Sequence, residues 1–101
     1  MTRAEIFTAI TAERARQDEK HPVAFNTLVD RKDPSRKIFK MCADDIKKRN
    51  ERDESENRHT AYRLLFEEMW EFFAETDKSR QVEEAIQNAA LWVRIIEEIT
   101  K

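Results

Sequence analysis

The stretch LLFEEMWEFFAE, residues 64–75, combines apolar side chains with four glutamates. On a helix, three of these acids fall along one side: Glu68, Glu71 and Glu75. The apolar residues occupy the arc beside this acidic band, and Glu67 lies further toward solvent. The stretch therefore predicts an amphipathic helix over residues 61–76, whose acids run along the margin of its core-facing side.

The acidic band has two interpretations. A charge at the border of a core is costly unless it is paired or bound to a metal, so these carboxylates could hold a cation. Glutamates three and four residues apart are also common on helix faces that are simply solvated. Spacing alone favours the second, structural interpretation.

The composition indicates one small all-α domain, residues 1–101. The chain contains no glycine, and without glycine the tight turns of β-hairpins lose their usual residue. Charged and apolar residues each make up 40% of the chain, and the net charge of -2 favours no nucleic-acid partner. No apolar run is long enough to span a bilayer and no signal-peptide pattern is present, so we expect a cytoplasmic protein without membrane contact.

Capping and breaking residues delimit the helices of the first half of the chain. A T-x-x-E capping box at residues 2–5 predicts a helix over residues 3–20. Pro22 interrupts that pattern and begins an extended connection. An aspartate–proline pair suits the start of a second helix over residues 35–49. The polar run at residues 50–59 then predicts a solvated loop or a frayed helix end.

Two further caps delimit the helices of the second half. Thr60 is placed to cap the third helix, and Ser79 is placed to cap a fourth helix over residues 80–100. The connection between them is so short that the two helices are expected to lie antiparallel, in an antiparallel bundle of about four helices.

Polar residues from three helices are predicted to approach one place. On the fourth helix, Glu84 and Asn88 follow one border of the apolar arc, and Gln87 lies just beyond it. The first helix places Glu13 and Gln17 in line with its apolar residues. Oxygen ligands that converge from several helices are what a hard cation such as Mg²⁺ requires.

Two segments resemble the motifs of the MazG-type, all-α nucleoside triphosphate pyrophosphohydrolases. That family carries E-E-x-x-E on one helix and E-x-x-D on the next, and this chain has EEMWE at residues 67–71 and EEAIQ at residues 83–87. The segments AERARQDEKH and EEAIQNAALWVRIIEEI also resemble small phage and bacterial members. The resemblance covers the first, third and fourth helices, about half of the chain. Gln87 departs from it, because the family has an acid there.

The resemblance implies Mg²⁺- or Mn²⁺-dependent hydrolysis of a nucleoside triphosphate to the monophosphate and pyrophosphate. It implies metal ligation by Glu68, Glu71 and Glu84, with Gln87 assisting, and Glu67 or Glu75 would orient the attacking water. Expected substrate contacts come from several polar and basic residues: Glu13, Arg14, Gln17, Lys78, Arg80, Asn88 and Arg94.

Two other expectations concern function and assembly. The alternative to an enzyme is a non-catalytic helical interaction protein, or a nucleotide sensor with a degenerate MazG-like site, because Gln87 replaces the family's acid. Several apolar residues widen the faces of the third and fourth helices beyond what one neighbour covers: Phe66, Trp70, Leu91 and Trp92. Exposed apolar area of this kind predicts a homodimer or homotetramer.

Overall fold

A computed structural model of the chain describes residues 1–23, 25, 35–56 and 60–101. These residues form four α-helices and no β-strand: α1 Arg3–Lys20, α2 Ser35–Ser55, α3 Ala61–Ala74 and α4 Lys78–Ile99. The all-α prediction is therefore confirmed. None of the helices in the described ranges combines the length and the apolar character needed to cross a membrane.

The chain divides into two compact units. One comprises Met1–Leu28 and Trp92–Lys101, and the other comprises Val29–Leu91. The prediction of a single domain is not tested by this division and stays a prediction.

In the first unit, the start of α1 is fixed by its cap and by the end of α4. The Thr2 hydroxyl accepts a hydrogen bond from the Glu5 N–H at 3.2 Å, and the Glu5 carboxylate accepts one from the Thr2 N–H at 2.8 Å. This is the predicted capping box, and α1 has the predicted bounds. The N-terminal ammonium of Met1 donates to the Thr100 hydroxyl at 2.9 Å, and Ile6 is fully buried.

In the second unit, α2 packs against α3 through aromatic rings at one end and polar groups at the other. Phe39 stacks on Trp70 with ring centroids 5.3 Å apart. Toward the other end, Asp53 pairs with the Arg63 guanidinium, and Asn50 donates to the Arg63 carbonyl oxygen at 3.0 Å. Residues later in α2 contact residues earlier in α3, so the two helices run antiparallel.

The second helix extends beyond its predicted end at residue 49 and into the polar run. The helix continues to Ser55, so of the two alternatives predicted for residues 50–55 the solvated loop is wrong and the helix end is the nearer one, although Asn50 and Asp53 are buried. Residues 57–59, which were also assigned to that loop, lie outside the described residues.

The connection between α3 and α4 differs from the prediction by a few residues. The Thr60 hydroxyl accepts from the Arg63 N–H, as predicted, but α3 ends at Ala74 and Glu75 is its C-cap. The Asp77 carboxylate accepts from the Arg80 N–H at 3.1 Å, so Asp77 caps α4 in place of Ser79 and the helix begins at Lys78.

Cross-helix hydrogen bonds show that α3 and α4 are antiparallel. Gln81 donates to the Glu75 carbonyl oxygen at 2.9 Å, and Asn88, two turns later on α4, donates to the Glu68 carbonyl oxygen at 2.9 Å. As the α4 residue number rises, the α3 residue number falls, as predicted for so short a connection.

The apolar residues that predicted an oligomer are only partly exposed. Leu91 is buried, which is contrary to the expectation, and Phe66 and Trp70 are half-buried. Trp92 is exposed, and the other exposed large apolar residues of α4 are Val82, Ile86 and Ile99.

Candidate metal centre

Three glutamates converge where α3 and α4 face each other. Glu68 and Glu71 lie one turn apart on α3, and Glu84 lies on α4. One carboxylate oxygen of each lies within 4.8 Å of those of the other two. The structure thus brings together three of the four predicted metal ligands, all of them half-buried.

Asn88 fixes the two helices at the level of this cluster. Its side-chain amide donates to the carbonyl oxygens of Glu68 at 2.9 Å and of Glu84 at 2.8 Å. The bond to Glu68 joins α4 to α3 at the level of the cluster, whereas the bond to Glu84 lies within α4. The N–H donors of Asn88 are thus used by the backbone, and its predicted contact with a substrate stays a prediction.

Burial raises the pKa values of all three carboxyl groups, and the charges of neighbouring acids add to this effect. Burial is the main cause of the raised pKa of Glu68, and the charges of Glu84 and Glu67 add to it. For Glu71, burial and then the charges of Glu68, Glu84 and Glu67 raise the pKa to about 7, against a smaller opposing effect of Lys47.

The pKa of Glu84 is also raised, and its carboxylate shares a hydrogen bond with Glu71. Burial raises the pKa of Glu84, and the hydrogen bond to the Glu71 carboxyl lowers it in part. Two oxygens of the cluster, Oε2 of Glu68 and Oε2 of Glu84, are buried and have no hydrogen-bond partner among the described residues. Buried polar atoms normally have a partner, so these two oxygens have unused ligand capacity.

This donor set fits a hard divalent cation. Mg²⁺ takes oxygen ligands at about 2.0–2.1 Å, which stand about 3–4 Å apart around the ion. The carboxylate oxygens, within 4.8 Å of one another, need to move only slightly to reach that spacing. A cation would also offset the like-charge repulsion that adds to the effect of burial on the three pKa values.

A cavity of about 490 Å³ opens beside the cluster. Residues of α2, of α3, of α4 and of the connection between α3 and α4 line it: Lys37, Lys40, Ala43, Asp44, Glu71, Ala74, Glu75, Thr76 and Glu84. A larger cavity, about 870 Å³, lies at the end of α1 in the first unit, but Asp18, the one acid among the described residues that line it, is paired with Arg14. The smaller cavity is therefore the candidate site.

The fourth predicted metal ligand, Gln87, and the two acids predicted to orient the water, Glu67 and Glu75, differ in exposure and in whether they line the cavity. Gln87 is exposed and is not among the residues that line the cavity, which leaves three carboxylates to define the site. Glu67 is half-buried, and its charge raises the pKa values of Glu68 and Glu71. Glu75 lines the cavity, but its Oε1 accepts from the N–H groups of Thr76 and Asp77, so this oxygen holds the connection.

Four of the predicted substrate contacts lie in the first unit. Arg14 pairs with Asp18 at 2.6 Å, and Arg94 pairs with Glu98 at 3.3 Å. Glu13 accepts hydrogen bonds from Arg16 and from Gln17. Their contact with a substrate bound in the second unit stays a prediction.

The other two predicted cations lie at the start of α4. Lys78 and Arg80 are exposed, and neither lines the cavity, where the basic residues are Lys37 and Lys40 of α2. In the sequence, the only signal for Lys37 and Lys40 is their spacing of three residues on a helix. That spacing does not reveal which helix α2 packs against.

Comparison with protein-family models, with curated proteins and with solved structures finds no match to the chain. The resemblance to MazG-type enzymes stays a prediction from the sequence motifs.

Proposed function

We propose that the chain is a cytoplasmic, Mg²⁺- or Mn²⁺-dependent pyrophosphohydrolase of nucleoside triphosphates, of MazG-like type, that works as a homodimer or homotetramer. The observation that carries the proposal is the convergence of Glu68, Glu71 and Glu84, two of which have a buried oxygen without a partner. The acidic motifs of the MazG family support the choice of reaction.

In this proposal the three carboxylates would hold a divalent cation, which would supply positive charge to the phosphates and make the attacking water more acidic. Glu67, beside the cluster and half-buried, is placed to orient that water. The water would pass a proton to the Glu67 carboxylate as its oxygen bonds to one of the two phosphorus atoms, and the phosphoanhydride bond between the α and β phosphates would break, its electron pair leaving with the bridging oxygen. The products are the nucleoside monophosphate and pyrophosphate.

Release of pyrophosphate from a panel of ribo- and deoxyribonucleoside triphosphates tests the proposal. We expect Mg²⁺- or Mn²⁺-dependent release by the parent and a loss of about a hundredfold or more in Glu71→Gln, because one ligand charge is lost. Glu83→Gln is the matched control, since Glu83 is an exposed acid next to Glu84 and outside the cluster. A parent that releases no pyrophosphate from any nucleotide would overturn the enzymatic proposal.

The second candidate is a nucleotide sensor that binds without hydrolysis. Gln87, an uncharged and exposed residue where MazG-type enzymes have an acid, favours this alternative. Calorimetric binding of a triphosphate in the absence of pyrophosphate release would select it.

A further inference from the structure

Two lysines and one aspartate of α2 line the cavity beside the acidic cluster; we call this lining the basic wall, and the carboxylates of α3 and α4 the acidic wall. Lys37, Lys40 and Asp44 are spaced three and four residues apart, which places them on one face of α2. Lys37 and Lys40 line the same cavity as Glu71 and Glu84. Residues of α2 thus bring two positive charges and one negative charge to a cavity that carboxylates of α3 and α4 also line.

These lysines do not form ion pairs with the described carboxylates that line the cavity. Within the part of the chain that the structure describes, no ion pair involves Lys37 or Lys40, and both lysines are exposed. Small side chains, Ala43 on α2 and Ala74 on α3, line the space between the walls. The cavity, about 490 Å³, has the size of a small-molecule site.

The two walls suit different parts of one ligand. Carboxylates bind a divalent cation, but they repel a polyanion unless the protein also supplies positive charge. Lysine ammonium groups bind phosphate oxygens as point charges and have no preference for a base. A polyphosphate chain bridged to the acidic wall by a cation satisfies both walls at once.

We propose that Lys37 and Lys40 bind the phosphate chain of the ligand whose cation is held by Glu68, Glu71 and Glu84. This inference rests on the proposed function and deepens it, because it assigns the phosphate contacts to α2 and makes them independent of the base. The ligand class is then a metal-bound polyphosphate.

Inorganic tripolyphosphate with Mn²⁺ is the probe, because it contains the phosphate chain without a nucleoside. We expect calorimetry to show that Lys37→Gln and Lys40→Gln each weaken binding of this probe about tenfold or more, as for a lost charge-assisted hydrogen bond. Lys48→Gln is the matched control, since Lys48 is an exposed lysine of α2 that does not line the cavity. Its affinity should equal that of the parent.

Two further measurements separate a binding role from a structural one. Lys37→Arg and Lys40→Arg keep the charge and should restore most of the affinity, whereas the melting temperature should be the same in all these variants. Affinity of the parent for tripolyphosphate should also fall with added salt. Equal affinity of the parent and the Lys37→Gln/Lys40→Gln double variant for the probe would overturn the inference.

Titration with Mn²⁺ alone distinguishes this inference from the proposed function. The double lysine variant should bind Mn²⁺ at least as well as the parent, and Glu71→Gln should bind it more weakly. If tripolyphosphate binding depended on the lysines but the parent bound no Mn²⁺, the lysine site would stand and the cation site would fail. If Mn²⁺ binding depended on Glu71 but the lysines made no difference, the cation site alone would stand.

Discussion

Glu71 lies between two other acids, Glu68 one turn earlier on α3 and Glu84 on α4. Burial and these neighbouring charges raise its pKa to about 7, so it changes charge near neutral pH. An ordinary glutamate on a solvated face would be fully ionised there, since its pKa is about 4.3. The charge of the cluster is therefore coupled to pH and to any cation that binds.

The stability of the metal-free protein should fall as the pH rises. The folded state binds the Glu71 proton more tightly than the unfolded state, so its contribution is complete below about pH 4.3 and is lost as the pH rises through about 7. Because Glu71 is only half-buried, we discount the effect to about 1 kcal/mol, or about 4–8 °C in melting temperature. Thermal melts in chelator at pH 5 and pH 8 measure it.

Glu71→Gln supplies the comparison, because the amide has the same shape and does not titrate. The variant should melt above the parent at pH 8 in chelator and show a smaller difference between the two pH values. Added Mn²⁺ should stabilise the parent at pH 8 and should have less effect on the variant. An equal pH dependence in parent and variant would contradict the coupling.

Among the elements, α1 and the start of α3 could be predicted from the sequence, because their caps are local. The end of α2 could not, because residues 50–55 have no apolar period. Asn50 and Asp53 are buried by polar contacts with Arg63, a residue of the next helix, and apolar patterning does not register such contacts.

The candidate site, like the helix bounds, could be predicted only in part from the sequence. Glu68, Glu71 and Glu84 come from spacing on two helices that a short connection forces together, and they do converge. Lys37 and Lys40 come from α2, whose orientation depends on tertiary packing of Phe39 against α3. No periodicity within α2 contains that information.

Removing either partner of the Asp53–Arg63 ion pair between α2 and α3 should lower the free energy of unfolding, but by different amounts. Asp53 is 6% exposed and Arg63 is 41% exposed, so Arg63→Met removes an ion-pair partner from a buried carboxylate, whereas Asp53→Asn removes one from a guanidinium that reaches water. We expect Arg63→Met to cost about 2–3 kcal/mol of unfolding free energy and Asp53→Asn about 1 kcal/mol. Urea unfolding measures both.

A surface pair of the same helix provides the control. Arg49 and Asp45 are both mostly exposed, and Arg49→Met should cost at most about 0.5 kcal/mol. If Arg63→Met were no more destabilising than this control, the end of α2 would not be held by its contact with α3.

At the scale of the whole molecule, apolar surface remains exposed on α4. Val82 is 59% exposed and Ile86 is 62% exposed, one turn apart on the same face of the helix. A chain of 101 residues buries a limited fraction of its surface, and an uncovered apolar face of this kind is typical of an interface.

We expect light scattering at micromolar concentration to give the mass of a dimer or tetramer. Ile86→Glu should shift the protein toward a smaller species, because a charge in an apolar interface is costly. Glu83→Gln, an exposed substitution on the same turn, should leave the mass unchanged. A parent that is monomeric in this measurement would contradict the proposed assembly.

The connection between α3 and α4 has a consequence for the thermodynamics of cation binding. The Glu75 carboxylate accepts from the N–H groups of Thr76 and Asp77, and the Glu75 carbonyl accepts from Gln81, so the connection is ordered without glycine. Binding at a site held in this way buries little new apolar surface. Titration of Mn²⁺ at several temperatures should therefore give a heat-capacity change near zero, whereas a site that folds around its ion gives a large negative one.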